Sequence, residues 1–433
     1  MTIFGKKLEL IYRLRGEEVI SAIEELKKLE ETDRQTVFLY KEQKLSELIE
    51  FVRKECDYYR AVAETTNAAS GGFSAYEILN QLPAVDKWTI KNDLSGFISG
   101  QLRASWRSTS GTTGTPFVFK KDRHASAYMD AMMYCAYHWH GIEPWSRQAR
   151  IWGSSVGFRG KVVQKTKDLL LGRRRLSAFE MDEDNCRSFF YLLLKHRPEY
   201  FYCYPNAMYQ FALSLERQGL NGRDIGACVV ICTGEVLFPH QKDKIEQITG
   251  CRVVNEYGST ENGIIAFECE YGTMHLLPTV HADIVDSDKD GFGEITLTEL
   301  NSRSVPFIKY KIGDMGRALD SGCKCGRPFE AFEIQEGRIG DFILCPDGSM
   351  AYGAILAYVL KGYAVQFKAY QEETDLINIY IIPKSNHDGV VEEKIRTRLR
   401  KYLGSEMRIN FTVADNIPPE KSGKLRYFVS RIR

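Results

Sequence analysis

The spacing of apolar residues predicts helices at the start of the chain. Residues 8–60 show helical spacing, with one apolar stripe at positions i, i+3, i+4 and i+7. The stripe consists of Leu45, Leu48, Ile49 and Val52. A second long and rather apolar helical pattern covers residues 123–140. The first part of the chain, residues 1–104, is therefore predicted to be a largely helical lead-in.

The pattern changes to alternating strands and helices from residue 147 to residue 300. Residues 150–153 and 227–232 have the composition of buried strands, and the second run ends in Thr233-Gly234-Glu235. Such alternation predicts an α/β fold with a largely parallel or mixed sheet, in which ligands bind at the carboxyl ends of the strands. Residues 279–310 then predict hairpin-rich β structure.

A second change of pattern near residue 337 predicts a domain boundary. Residues 338–433 contain strands of their own and an amphipathic helix near residues 390–403, enough for a small, mobile α+β lid domain. Residues 1–337 would form the large N-terminal domain with mixed sheets and helices.

Composition narrows the class of protein. The chain has 433 residues, 44% hydrophobic and 27% charged, which is typical of globular proteins. Lys and Arg number 58 against 57 Asp and Glu, so nothing favours nucleic acid as a partner. No apolar run is long enough for a membrane span, and the start does not resemble a signal peptide. We therefore expect a cytoplasmic protein with free or metal-bound thiols, and expect Cys228 and Cys232 to lie in the core.

The most specific local sequence is Ser-Thr-Ser-Gly-Thr-Thr-Gly-Thr-Pro at residues 108–116. Its glycines allow close approach to a ligand, and its hydroxyl and N–H groups favour an anion such as a nucleotide phosphate. The Lys of a Walker P-loop is absent. The alternative, a Ser/Gly linker, is disfavoured because the apolar strand Phe117-Val118-Phe119 follows directly.

Four further motifs follow in order, each common alone but specific as a set. They are Asn255-Glu256-Tyr257-Gly258-Ser259-Thr260-Glu261, Lys309-Tyr310-Lys311-Ile312-Gly313-Asp314, Gly337-Arg338-Ile339-Gly340-Asp341 and Lys421-Ser422-Gly423-Lys424. With the glycine-rich stretch, they resemble the adenylate-forming superfamily of acyl-CoA synthetases, adenylation domains and luciferases. The chain looks most like its phenylacetate-CoA ligase branch, including CapK-like and coenzyme F390 synthetase-like members. Two departures are Val236, where the branch often has proline, and Ile339-Gly340 between Arg338 and Asp341.

The resemblance implies roles for individual residues. Glu261, beside Thr260, would hold Mg²⁺ bridging the phosphates of ATP, and Lys424 would bridge the α-phosphate and the substrate carboxylate. Lys421 is the second candidate for that lysine, and Asp341 would be the hinge of the C-terminal domain or else a turn residue. The residues implied to bind ATP are Ser108, Thr109, Ser110, Gly111, Thr112, Thr113, Gly114, Gly234, Glu235, Tyr257, Gly258, Ser259, Asp314 and Arg338.

The function implied is an ATP-dependent, AMP-forming ligase. The first hypothesis is an acid–thiol ligase that transfers the acyl group of a carboxylic acid to CoA. The second is a CapK-like amide synthetase that transfers an acyl or aminoacyl group to an amine in surface polysaccharide biosynthesis. The third is a nucleotide-binding protein without catalysis, and a homodimer is an open alternative for the assembly. Trp152 and Tyr204 would suit an aromatic or apolar acid, while for Arg150 we favour pairing with a structural carboxylate over pairing with a substrate charge.

Two short segments predict a metal site. Cys269 and His275 are separated by five residues, and Cys323-Lys324-Cys325-Gly326 has the form of a metal knuckle. Three thiolates and one imidazole make a tetrahedral zinc set, although free thiols on two unrelated loops are the alternative. Members of the phenylacetate-CoA ligase branch carry such a set, which implies a closed, structural Zn²⁺ at these four positions.

Overall fold

The computed structural model describes residues 10, 12–13, 15–65, 73–100, 102–109, 117–153, 158–178, 180–319, 322–338, 342–348, 350–352, 354–360, 362–384, 388–417 and 427–432. The chain divides into two compact units. The N-terminal unit comprises Met1–Ile312 and Arg317–Glu333, and the C-terminal unit comprises Gly313–Gly316 and Ile334–Arg433. The domain boundary that we predicted between residues 337 and 338 stays a prediction.

The α-helices of the described residues begin with a helical lead-in, as the apolar stripes predict. They are α1 Val19–Glu30, α2 Arg34–Glu55, α3 Asp57–Thr65, α4 Ala75–Gln81, α5 Lys87–Asn92, α6 Leu94–Phe97, α7 Arg123–His138, α8 Phe158–Leu170, α9 Glu183–His196, α10 Pro205–Arg217, α11 Pro239–Thr249, α12 Ala354–Leu360 and α13 Gly389–Leu403. The predicted stripe residues of α2 are buried. The helix predicted over residues 123–140 is α7, which Asp122 caps by accepting from the Ala125 N–H.

The strands alternate with helices in the middle of the chain and follow one another directly afterwards. They are β1 Ala104–Ser108, β2 Val118–Asp122, β3 Gln148–Trp152, β4 Arg173–Ser177, β5 Tyr200–Cys203, β6 Val229–Thr233, β7 Arg252–Ser259, β8 Gly263–Glu268, β9 Met274–Leu276, β10 Val280–Val285, β11 Gly293–Glu299, β12 Tyr310–Leu319, β13 Ala331–Arg338, β14 Phe342–Leu344, β15 Met350–Tyr352, β16 Ala364–Glu373, β17 Leu376–Pro383, β18 Arg408–Val413 and β19 Phe428–Ser430.

An 11-stranded sheet has the order β10-β11-β12-β13-β9-β8-β7-β6-β5-β3-β4. Strands β7, β6, β5, β3 and β4 are parallel, because helices α8 to α11 carry the chain back between them. Strands β7 to β9 pair antiparallel, and β10 and β11 form the predicted hairpin. The expected mixed α/β class is therefore confirmed.

The two faces of the parallel half are covered differently. Helix α7 covers one face, where Tyr137 and Met132 pack with Ile231 and Val254. Helices α9, α10 and α11 cover the other face, in a cluster that includes Ile151. Burial on both faces accounts for the nearly continuous apolar run of β6. Cys232 in β6 is buried as predicted, but Cys228 is exposed, because it precedes the strand.

The C-terminal unit has its own core and a four-stranded sheet in the order β18-β17-β16-β19. Strands β16 and β17 pair antiparallel, whereas β18 and β19 pair parallel to their neighbours. Helix α13 buries Ile395, Leu399 and Leu403. This is the α+β organisation expected for a small C-terminal domain. No helix of the described segments in either unit is both long and apolar enough to cross a membrane.

Candidate active site and metal centre

The carboxyl ends of the parallel strands bring distant candidate residues to one edge of the sheet. Trp152 ends β3 and Tyr204 follows β5, and their rings stack with centroids 4.0 Å apart. Gly234 and Glu235 follow the next strand, β6, and Glu235 Oε2 accepts from the Asn206 N–H at 3.3 Å. Gly234 has φ of +78°, which lets the chain turn sharply at the strand end.

The motif from Tyr257 to Glu261 occupies the end of β7 and the turn into β8. A register shift between Tyr257 and Gly258 bends the strand where the candidate adenine-binding residue lies. Gly258 has no room for a side chain, because a Cβ there would lie 2.6 Å from the Gly263 carbonyl oxygen. Ser259 closes the turn by accepting from the Asn262 N–H at 3.0 Å, and Thr260 is exposed on it.

Glu261 is buried on this turn and is a candidate ligand of a cation. Its Oε1 accepts a long hydrogen bond of 3.4 Å from the Tyr310 hydroxyl. Among the described residues, no lysine, arginine or histidine forms an ion pair with it. A buried carboxylate without a cationic partner is the type of oxygen ligand that Mg²⁺ prefers, so the residue fits the metal that the resemblance implies.

The glycine-rich stretch is presented by a β-hairpin. Strands β1 and β2 pair antiparallel, and Ser108 at the end of β1 faces Val118. The Thr109 N–H donates to the Phe117 carbonyl at 3.0 Å, and the Phe117 N–H donates to Thr109 Oγ1 at 3.1 Å. These two bonds close the hairpin immediately before residues 110–116, which lie outside the described residues.

Two buried charges anchor strand β2 of this hairpin. Lys121 forms an ion pair with Glu299 of β11, with both side chains almost fully buried. Asp122 accepts from the backbone N–H groups of Arg303 and Ser304 at 2.9 and 2.8 Å, in addition to capping α7. These hydrogen bonds hold the pKa of Asp122 below its ordinary value despite burial.

A buried polar layer that the sequence did not indicate lies near the carboxyl ends of the same strands, beside the candidate substrate residues. Glu256 of β7 accepts from the Tyr137 hydroxyl at 2.7 Å and from the Tyr202 hydroxyl at 3.0 Å. Burial raises the pKa of Glu256 despite these hydrogen bonds. The alternation of residues in β7 could have predicted the burial of Glu256, because Glu256 lies on the same face of the strand as the buried Val254.

Arg150 of β3 lies beside this layer, and the pairing with a structural carboxylate that we favoured for it stays a prediction. Its guanidinium lies 4.4 Å from the ring centroid of Tyr202 and 5.3 Å from that of Trp152. No carboxylate of the described residues forms an ion pair with Arg150, and its Nε is buried without a hydrogen-bond partner there. The structural carboxylate that we favoured as its partner is therefore not found in the described part of the chain.

The four predicted metal ligands converge at one place. The ligand atoms of Cys269, His275, Cys323 and Cys325 all lie within 4.8 Å of one another. The Sγ atoms of Cys269 and Cys323 are 3.6 Å apart, and Cys325 Sγ is 3.3 Å from His275 Nε2. A tetrahedral site with Zn–S bonds of about 2.3 Å places its ligand atoms about 3.5–3.8 Å apart, so the set fits zinc.

Backbone groups orient these ligands. His275 Nδ1 lies 3.1 Å from the Phe329 carbonyl, so Nδ1–H donates to it and Nε2 faces the thiols. The N–H groups of Tyr271 and Cys325 donate to the sulfurs of Cys269 and Cys323. Such donors, against the effect of burial, lower the pKa of Cys323 to about 6. Burial raises the pKa of Cys269 to about 11.

Comparisons with known proteins agree with this architecture. Residues 344–431 match the family described as the CapK C-terminal domain. Protein CapK of Staphylococcus aureus is 20% identical over 95% of this chain and 92% of its own. The phenylacetate-coenzyme A ligase of Thermus thermophilus is 20% identical over 92% of this chain and 97% of its own. A 2-hydroxyisobutyryl-CoA ligase in the postadenylation state superposes with a TM-score of 0.68 and 18% identity, covering 90% of this chain and 88% of that chain.

The chain has the adenylate-forming fold. The predicted resemblance to the CapK and phenylacetate-CoA ligase branch is confirmed.

Within the adenylate-forming fold, the structure describes the candidate residues of the two units separately. Asp314 is buried in β12, in the short stretch that groups with the C-terminal unit. Arg338 is the last residue of β13, and its side chain is not described. The predicted residues that lie outside the described residues are Ser110, Gly111, Thr112, Thr113, Gly114, Asp341, Lys421 and Lys424.

Proposed function

We propose that this protein is an ATP-dependent, AMP-forming ligase that adenylates a carboxylic acid and then transfers the acyl group to an acceptor. The observation that carries the proposal is the shared edge of the parallel sheet. Trp152, Tyr204, Glu235 and Tyr257 all lie at the carboxyl ends of adjacent strands. That edge is where open α/β sheets bind their ligands.

The chemistry requires an acid carboxylate to attack the α-phosphate of ATP, which brings two anions together. The glycine-rich hairpin would hold the β- and γ-phosphates with backbone N–H and hydroxyl groups. Mg²⁺ held by Glu261 would neutralise phosphate charge. Tyr257 would stack on adenine, Asp314 would accept from the ribose hydroxyls, and Lys424 would stabilise the charge that builds up on the α-phosphate.

The acceptor is proposed to be the thiol of CoA. The similarity to a phenylacetate-coenzyme A ligase over most of both chains supports this choice. An amine acceptor is the second candidate, because residues 344–431 match the CapK C-terminal domain and CapK itself is similar over nearly the whole chain. The two candidates share the adenylation half-reaction and differ only in the nucleophile that takes the acyl group.

We further propose that the Cys269, His275, Cys323 and Cys325 cluster holds a structural Zn²⁺. The ligand separations and the His275–Phe329 hydrogen bond support it. With four protein ligands, the ion would have no open position for substrate. It would join the β8–β9 turn to the segment after β12 rather than take part in adenylation.

ATP–pyrophosphate exchange over a panel of carboxylic and amino acids tests the adenylation step. At least one acid is expected to support exchange, which should then yield a thioester with CoA or an amide with an amine. Glu261→Gln is expected to reduce exchange by weakening the binding of Mg²⁺. If no acid supports exchange while ATP still binds, the protein binds nucleotide without catalysis and the proposal is wrong.

A further inference from the structure

Cationic side chains are concentrated on one face of the sheet beside the candidate substrate residues. Arg150 of β3 pairs in register with Tyr202 of β5 and with Arg175 of β4. Arg173 lies two residues before Arg175 and therefore on the same face. Because the strands are parallel, Arg150 lies just below Trp152, the last residue of β3.

Among the described residues, Arg175 has a carboxylate partner, whereas Arg150 and Arg173 have none in an ion pair. Arg175 is paired by both Asp168 oxygens, at 2.9 and 3.2 Å. Arg150 and Arg173 form no ion pair with any described residue. Glu256 is electrostatically attracted to Arg150, but its two oxygens accept hydrogen bonds from the hydroxyls of Tyr137 and Tyr202. Lys167 of α8 adds positive charge, with Asp130 as the acidic group that faces it.

Arg150 lies deep in the N-terminal unit and keeps some exposed surface. Its Nε is fully buried, and its guanidinium lies against the rings of Tyr202 and Trp152. Yet Arg150, Tyr202 and Trp152 each retain partial solvent accessibility. The side chain lies beside the stacked rings of Tyr202, Trp152 and Tyr204.

The arrangement is costly unless an anion joins it. Burial and the neighbouring charge of Arg173 both lower the pKa of Arg150, which shows that its charged form is poorly stabilised. Arginine stays protonated in proteins, so Arg150 cannot escape the cost by losing its proton. A planar guanidinium that forms no ion pair with a described carboxylate is suited to a carboxylate or a similar oxyanion of a ligand.

We propose that Arg150, supported by the charge of Arg173, binds a second anionic group of the substrate acid. The substrate class is then a diacid with a flat or extended body. One carboxylate would react with ATP, and the distal oxyanion would lie at Arg150 beside the stacked aromatic rings. This inference rests on the proposed adenylating function and names the substrate class of the same site.

The test compares diacids with their own monoamides in ATP–pyrophosphate exchange. Glutarate with its monoamide, and 1,4-phenylenediacetate with its monoamide, differ in one charge at nearly constant shape. For the pair that the wild-type protein uses better, kcat/KM is expected to be at least about 30-fold higher with the diacid than with the monoamide. The reason is that loss of one partner of a buried, hydrogen-bonded charge pair weakens binding by that factor or more. Arg150→Met is expected to remove that preference. Arg174→Met, at an exposed arginine on the opposite face of β4, is expected to keep it.

Two results would overturn the inference. The first is that the wild-type protein uses each monoamide with the same kcat/KM as its diacid. The second is that Arg150→Met lowers exchange with the diacid and with the monoamide by the same factor. If no acid supports exchange, the proposed function fails and the inference is tested by calorimetric titration of the same diacids. Binding by the wild type that Arg150→Met loses and Arg174→Met retains supports an anion site at Arg150, and equal binding by all three proteins overturns it.

Discussion

At the residue scale, Glu256 is a carboxylate whose environment disfavours its charge. It is buried and accepts hydrogen bonds from Tyr137, Tyr202 and Thr233, and burial raises its pKa above the ordinary value of 4.5. A carboxyl whose pKa is higher in the folded than in the unfolded chain binds its proton more tightly in the folded state. The folded state therefore loses stability as pH rises from about 4.5 towards the raised pKa, and the loss stops above it.

Glu256→Gln is therefore expected to change the pH dependence of stability. Each unit of raised pKa costs about 1.4 kcal/mol at a pH above both values. The amide does not titrate, so the free energy of unfolding of wild type minus that of the variant should fall as pH rises from 4.5. Urea unfolding between pH 4.5 and pH 8 measures this difference, and Glu180→Gln at an exposed position is the control. A difference that is flat or rises with pH would contradict a raised pKa.

At the scale of elements, the buried Lys121–Glu299 pair ties the β1–β2 hairpin to β11. Removing one member of a buried pair leaves the other charge unpaired and costs about 3–5 kcal/mol. Lys121→Met should destabilise the N-terminal unit by about this amount, whereas the double variant Lys121→Met/Glu299→Leu should recover most of it. The matched control is Lys120→Met at the preceding position of β2, where the ammonium lies 5.3 Å from the centroid of the exposed Trp106 ring.

Urea denaturation of the four proteins measures these differences. The single variant is also expected to raise the KM for ATP, because β2 leads directly out of the glycine-rich stretch. A single variant as stable as the Lys120→Met protein would show that the pair does not anchor the hairpin.

The Cys/His cluster is a second connection between elements. A closed zinc site contributes its binding free energy to folding, so loss of one ligand should remove the metal and lower the unfolding temperature together. Cys323→Ser is expected to lose the metal and to unfold at a lower temperature. Cys228→Ser, at an exposed cysteine outside the cluster, is expected to keep the metal and the unfolding temperature of the wild type. Elemental analysis of protein purified without added zinc, followed by thermal unfolding, measures the two effects. Zinc retained at full stoichiometry in Cys323→Ser would argue against this ligand set.

At the scale of the whole molecule, the sequence predicted those elements that depend on residues close together in the chain. Apolar spacing predicted α2 and α7, and alternation predicted a parallel sheet whose carboxyl ends gather Trp152, Tyr204 and Gly234. The sequence did not predict that β13 lies between β12 and β9, because strand pairing between distant segments leaves no local signal. It also missed the Glu256 and Arg150 layer, since the partners of a buried charge depend on which faces of strands and helices meet.

The binding of ATP and the reaction at its α-phosphate are expected to depend on different residues of the chain. The candidate nucleotide-binding residues Glu235 and Tyr257 belong to the N-terminal unit, whereas Lys424 belongs to the C-terminal unit. If Lys424 acts on the charge that develops at the α-phosphate, its loss should affect the reaction far more than the binding of ATP. Lys424→Ala is therefore expected to lower the rate of ATP–pyrophosphate exchange by roughly 10²–10³-fold, as for loss of one transition-state donor.

Binding of ATP to the same variant, measured by equilibrium dialysis, is expected to change only by a few-fold, because a contact made only in the transition state adds little to ground-state affinity. Lys421→Ala, three residues earlier on the same segment, is the matched control and should keep its exchange activity. Normal exchange by Lys424→Ala together with loss of exchange by Lys421→Ala would transfer the role to Lys421. Normal exchange by both variants would contradict a role for either lysine in adenylation.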